Sequence, residues 1–179
     1  MKMSVAPTPG LRPEDRPIQL KKILLPVDFS EEGKPAIQYA KFLARLSGAQ
    51  ICLLFVKERI YPAVNVYPTG GFSVNPLTSE EIEEHATRRL GAIQMEQLDT
   101  IKTNFAIRSG APSKEITDAA AEMDADVIVM ATHGYTGFRH LVLGSTTEQV
   151  VRQAHCPVMV VRSTPTGKTN SKSPRKRAV

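Results

Sequence analysis

D-V-I-V-M-A-T-H-G-Y-T-G-F-R-H-L-V-L-G-S-T-T-E, residues Asp126 to Glu148, decides how the rest of this chain is read. It opens on an unbroken apolar run, Val127 to Met130. A run of that length bounded by turn residues predicts a strand buried on both faces. The run breaks into a loop with Gly134 and Gly137, and Gly144 then opens a helix through Ser145. A glycine loop feeding a helix N-terminus presents free backbone N–H groups and the positive end of a helix dipole, which suits a phosphate or another anion. The same residues have a plainer reading. The loop needs glycine for positive φ, and Ser145 with Glu148 makes an S-T-T-E capping box that explains the serine without a ligand.

Working outward, strands and helices alternate. The first strand is predicted over Ile23 to Val27, turning at Asp28-Phe29-Ser30 into a helix that begins within Ser30 to Lys34. Ala36, Ile37, Ala40, Leu43 and Ala44 follow helical spacing, and Gly48 suits a C-cap. A second strand is predicted over Ile51 to Val56, and 59–77 reads as a loop without a period. Thr78 with Glu81 forms a capping box for a helix running to about Thr100, with Ile82, Ala86, Leu90 and Ile93 on one face. A third strand, Asn104 to Arg108, leads to a helix from Pro112 and Ser113 that buries Ile116, Ala119, Ala120 and Met123. The fourth strand is Val127 to Ala131, followed by a helix over Ser145 to Ala154 and a fifth strand over Val158 to Val161. Such alternation predicts a single-domain α/β protein with a doubly wound parallel sheet. Ligands of these sheets lie outside the carboxyl ends of the strands, where the strand order reverses.

The net charge of +5 is a property of one end of the chain. Residues 163–179 carry Lys168, Lys172, Arg175, Lys176, Arg177 and no acid, so the remaining cations and acids balance. That segment reads as a disordered basic tail, and residues 1–19, rich in proline, as a flexible arm. No aromatic is interleaved with the basic residues, which argues against a specific nucleic-acid surface. The N-terminus lacks the apolar core of a signal peptide, and no stretch is long enough to span a membrane. Cys52 and Cys156 lack metal or redox spacing and read as reduced, mostly buried thiols, in keeping with a cytoplasmic location. His85, His140 and His155 are scattered, without metal spacing. Asp124 and Asp126 read as formers of a helix-to-strand turn.

Three blocks in order resemble the universal stress protein family. K-K-I-L-L-P-V-D-F-S at Lys21 to Ser30 is similar to its first strand and turn, and H-C-P-V-M-V-V-R at His155 to Arg162 to its last strand. Gly134, nine residues, Gly144 and Ser145 match the family's nucleotide-loop spacing, with Ala131 in place of the first glycine. The resemblance places the domain at residues 20–162. It implies a five-stranded sheet in the order 3-2-1-4-5, of the adenine nucleotide alpha hydrolase-like type, with the site between strands one and four. It also implies ATP, with or without Mg, as ligand, and a homodimer through Val158 to Val161. The residues it places at the ligand are Pro26, Val27, Asp28, Val56, Met130, Ala131, His133, Gly134, Gly137, Gly144, Ser145 and Thr146.

Each has a structural alternative. Asp28 accepts from ribose hydroxyls or the adenine amine, or from backbone N–H groups of its own turn. Val56 meets adenine or is a core residue. His133 fixes loop geometry, since no partner acid is near it in sequence except Asp28 across the sheet. The methyl of Ala131 crowds a nucleotide if it faces the cavity and is harmless if it points away. Tyr135 stands where ATP-binding members often carry Lys or Arg, which removes one charge-assisted contact. The expected function is a dimeric stress-response protein that binds ATP as a regulatory ligand. It is not an enzyme, although slow ATP hydrolysis is compatible with it. The alternative is a dimeric interaction protein of the same fold that binds no nucleotide. An ATP-pyrophosphatase or synthetase is disfavoured, because P-V-D-F-S-E-E-G after the first strand lacks the phosphate loop of that group.

Overall fold

A computed structural model of the chain describes residues 19–58, 78–132 and 143–162. The expected arm, loop 59–77 and basic tail lie outside these residues, apart from the end of the arm at Gln19. The elements alternate as β1 (Lys22–Pro26), α1 (Lys34–Ser47), β2 (Gln50–Lys57), α2 (Ser79–Gln97), β3 (Thr103–Ser109), α3 (Pro112–Glu122), β4 (Val127–Ala131), α4 (Ser145–Gln153) and β5 (Val158–Val161). A 3-10 turn, Glu31–Gly33, leads into α1. All strand pairs are parallel, in the order β3-β2-β1-β4-β5. The sequence reading holds for each element, with small shifts at the ends. β1 starts and stops one residue early, so Val27 lies past it, although its N–H still donates to the Leu54 carbonyl at 2.8 Å. α2 ends at Gln97 rather than near Thr100.

The middles of the central strands are apolar because both faces of the sheet are covered. Alternate residues go to opposite faces. Ile23, Leu25, Ile51, Leu53, Val127 and Val129 pack with Ala36, Ile37, Ala40 and Ala44 of α1 and Leu90 of α2. Leu24, Leu54, Ile128 and Met130 pack with Ile116, Ala119 and Ala120 of α3 and Val150 of α4. Complete burial of each such Leu or Ile stabilises the fold by about 1.5–3 kcal/mol.

The helix ends follow local chemistry. Gly48 takes the left-handed conformation at φ 77°, closing α1 with a bond from its N–H to the Ala44 carbonyl. Thr78 and Glu81 form the expected capping box. Asp124 sits at φ 54° in the turn before β4, as a turn former should. Asp126 does more than turn the chain. Its carboxylate accepts from the N–H groups of Lys21 and Lys22 at 2.7 and 2.8 Å, tying the start of β4 to the start of β1. Among the described residues no helix is long and apolar enough to cross a membrane.

Candidate functional site

The carboxyl ends of β1, β2 and β4 and the first turns of α3 and α4 enclose a cavity of about 340 Å³. Pro26, Val27, Asp28, Val56, Met130, Ala131, Gly144, Ser145 and Thr146 all line it. His133, Gly134 and Gly137 lie outside the described residues, as does Tyr135. A broad surface hollow of about 400 Å³ between Arg45, Gly48 and Lys102 is at the other end of the strands, away from all of these groups. Gly33, Leu54, Glu58, Pro112, Ile116 and Thr147 complete the wall of the first cavity and were not singled out from sequence. Pro112 and Ile116 could have been. In a parallel sheet every helix that follows a strand begins at the carboxyl edge, so the first turn of α3 opens beside that of α4.

The α4 end departs from the capping box expected at Ser145. Gly144 is the N-cap and Ser145 the first helical residue, and no side chain caps the helix from the N-cap position. The Glu148 N–H bonds to the Gly144 carbonyl at 2.9 Å, which sets the helix one residue earlier than the S-T-T-E pattern suggests. Two further bonds hold that register. The Gly144 N–H donates to the Thr132 carbonyl at 2.9 Å, and the buried Thr147 hydroxyl donates to the Ala131 carbonyl at 3.0 Å. The first turn of α4 therefore faces the cavity with backbone N–H groups that have no intrahelical acceptor. The positive end of its dipole adds to them. Gly144 itself has φ −66° and ψ 150°, open to any residue. Positive φ does not explain the glycine at this position, and its remaining distinction is a wall without a Cβ.

Asp28 shows the turn role expected of it. Its Oδ1 accepts from the Ser30 N–H at 3.0 Å and the Ser30 hydroxyl at 2.7 Å. Asp28 is also one of the residues that line the cavity. Val56 belongs to both of its readings, packing against the α3/α4 core cluster while bounding the cavity. Ala131 reaches the cavity, but its methyl packs against the α1/α2 cluster, whereas Met130 beside it belongs to the other cluster with Leu54 and Ile116. Among the described wall residues, the charged ones are Asp28 and Glu58, both acidic. Within this described wall, the groups suited to an anion are the backbone N–H groups at the start of α4.

The two thiols are free. Burial pushes the Cys52 thiol above its ordinary range, opposed by the nearby Arg108 cation, and burial likewise raises Cys156. Both are poor nucleophiles at neutral pH. No group of three or more His, Cys, Asp or Glu side chains among the described residues could hold a metal ion.

A doubly wound α/β domain with its cavity at the reversal of strand order, walled by a glycine-led helix N-terminus, defines a class of small-ligand-binding domains. Comparison with known proteins places it more narrowly. The sequence profile of the universal stress protein family matches residues 19–162, and this chain belongs to that family. It is 33% identical to universal stress protein MJ0531 of Methanocaldococcus jannaschii over 143 residues, covering 79% of this chain and 82% of that one. The solved structure of MJ0577 is 31% identical at a TM-score of 0.70, covering 82% of this chain and 99% of the other. A universal stress protein from Archaeoglobus fulgidus, solved in complex with dAMP, shares the fold at a TM-score of 0.56 and 22% identity, covering 81% and 100% of the two chains.

Proposed function

We propose that this universal stress protein binds an adenine nucleotide, ATP, in the cavity between β1, β2 and β4, and uses it as a regulatory ligand rather than as a substrate to be turned over. The observation that carries the reading is the first turn of α4. It faces the cavity uncapped by the Gly144 side, with a glycine at the junction that backbone conformation does not require. Phosphates would meet the N–H groups of Ser145 and Thr146. The base and ribose would lie toward Val56, Met130 and Asp28, an apolar wall with one acceptor. dAMP is bound by one protein of this fold, which makes a nucleotide of this base a reasonable occupant. With Asp28 and Glu58 the charged groups of the described wall, Mg carried by the triphosphate would lessen their repulsion of it.

Binding would act by population shift, favouring the arrangement of the β4–α4 junction that ATP contacts and so altering the surface offered to partners. The dimer is proposed to form through β5. It lies at the edge of the sheet, and its Met159 is 36% exposed. Such an edge is a template for pairing with a second copy. A cytoplasmic setting accords with two unreactive free thiols.

The competing reading, an interaction protein that binds no nucleotide, draws on the same acidic wall. The test is whether ATP accompanies the purified protein, read by chromatography of the denatured material, followed by calorimetric titration with and without Mg. ATP in the denatured extract and a saturable titration support the proposal. Neither a copurified nucleotide nor any binding heat would replace it with the competing reading.

A further inference from the structure

Phe29, the residue after Asp28, has φ 63°. A bulky side chain rarely adopts that left-handed conformation, and it persists only where the surroundings hold it. Here they hold it from behind the sheet. The Phe29 ring stacks on Phe55 with centroids 4.9 Å apart. The guanidinium of Arg89, from the middle of α2, lies 4.4 Å from the centre of the Phe29 ring. Its Nη2 also donates to the Phe29 carbonyl at 3.1 Å. One cation therefore holds both ring and backbone of the strained residue. On the cavity side the same turn is closed by the bonds from Ser30 to Asp28. Ser30 in turn accepts from the Gly33 N–H at 3.2 Å and so leads into α1.

We infer that Arg89 is a positioning residue for Asp28. It belongs to α2, which packs on the face of the sheet opposite Met130 and Ile116 of the cavity wall, and it acts through Phe29. Holding Phe29 in the left-handed conformation keeps Asp28 directed at the cavity while the following ring stays in the core. The ligand-binding half of this inference rests on the nucleotide reading, but the positioning half does not. Arg88, one residue earlier, is a built-in control, since it pairs with Glu84 at 3.2 Å on the exposed side of α2.

The test uses the full chain and two readouts. Amide exchange at Ser30 and Gly33, followed by NMR without nucleotide, reports the turn itself. Arg89→Ala should speed both by about tenfold and weaken ATP binding by about fivefold, as expected for losing a charged hydrogen bond and a cation–π contact. Arg89→Lys should recover part of each, and Arg88→Ala should move neither. In an Asp28→Asn background, Arg89→Ala should cost no further affinity, because its effect passes through the carboxylate. Unchanged exchange in a folded Arg89→Ala protein, or an affinity loss of equal size in the Asp28→Asn background, overturns the inference. If the wild-type protein binds no ATP, the nucleotide reading fails and exchange alone decides the role of Arg89. If Arg89→Ala does not fold, Phe29→Gly takes its place. Glycine accepts φ 63° without the ring, so faster exchange in a folded protein supports the clamp and unchanged exchange overturns it.

Discussion

Two helices of this protein begin with sequences that look alike and end up capped in opposite ways. Thr78 and Glu81 before α2 close a full capping box. The Thr78 hydroxyl accepts from the Glu81 N–H at 3.2 Å and the Glu81 carboxylate accepts from the Thr78 N–H at 2.7 Å. Ser145 and Glu148 offer the same pattern at α4, yet Gly144 is the N-cap and no such box forms. Glu148 pairs instead with Arg152, one turn along. A helix that satisfies its own first turn has little to offer a ligand. One that leaves its first-turn N–H groups to a cavity retains both the donors and the dipole. The cause is not in the four residues. Thr147 and Gly144 are tied to the end of β4, and those bonds set the helix register.

The sharpest way to break this contrast is Gly144→Val. The backbone at φ −66° and ψ 150° accepts valine, so circular dichroism should show an intact fold. ATP affinity should fall by more than about a hundredfold as two charge-assisted bonds to phosphate are obstructed. Unchanged affinity in the folded variant would remove the basis for placing phosphate at α4. Gly144→Asp makes α4 resemble α2 by supplying a side-chain cap. Ligand-free stability should rise by a few tenths of a kcal/mol while ATP binding weakens by about tenfold, since the carboxylate takes the place of the anion. Denaturant melts paired with titrations read both, and a tighter complex would contradict the scheme.

At the self-capped end, Thr78→Ala should cost about 1 kcal/mol of stability. ATP affinity should stay within about twofold, because α2 contributes its cap to folding alone. A large affinity loss would mean that α2 has a part in the site through its N-terminus. The smallest effect is expected at Ala131→Gly. Glycine in a strand costs about 0.5–1 kcal/mol. The methyl packs on the α1/α2 side, so its removal should lower the melting temperature equally with and without ATP. A gain of affinity would show that the methyl had crowded the nucleotide after all.

Much of this was legible along the chain. Apolar runs of strand length, the helical spacing of Ala36, Ile37 and Ala40, Gly48 as a terminator and the box at Thr78 are local signals, and each forms where local physics puts it. Nine of the residues expected at the ligand line one cavity. What could not be read shares a single property, that it depends on contacts between distant segments. Glu58, Pro112 and Ile116 join the wall from elements far from the glycine loop. Arg89 reaches Phe29 across 60 positions of sequence.

By itself the sequence determined the kinds of element, their order and the two-faced burial of the central strands, because hydrophobic period and turn chemistry act over a few residues. The strand order came from family resemblance, and the sheet pairing bears it out. Tertiary structure alone decided which residue caps α4, which face receives the Ala131 methyl and which cation secures the Asp28 turn. Local patterns allow two registers one residue apart at Ser145 and either face for Ala131. The choice falls to hydrogen bonds and packing that exist only once β4, α4 and the two core clusters have come together.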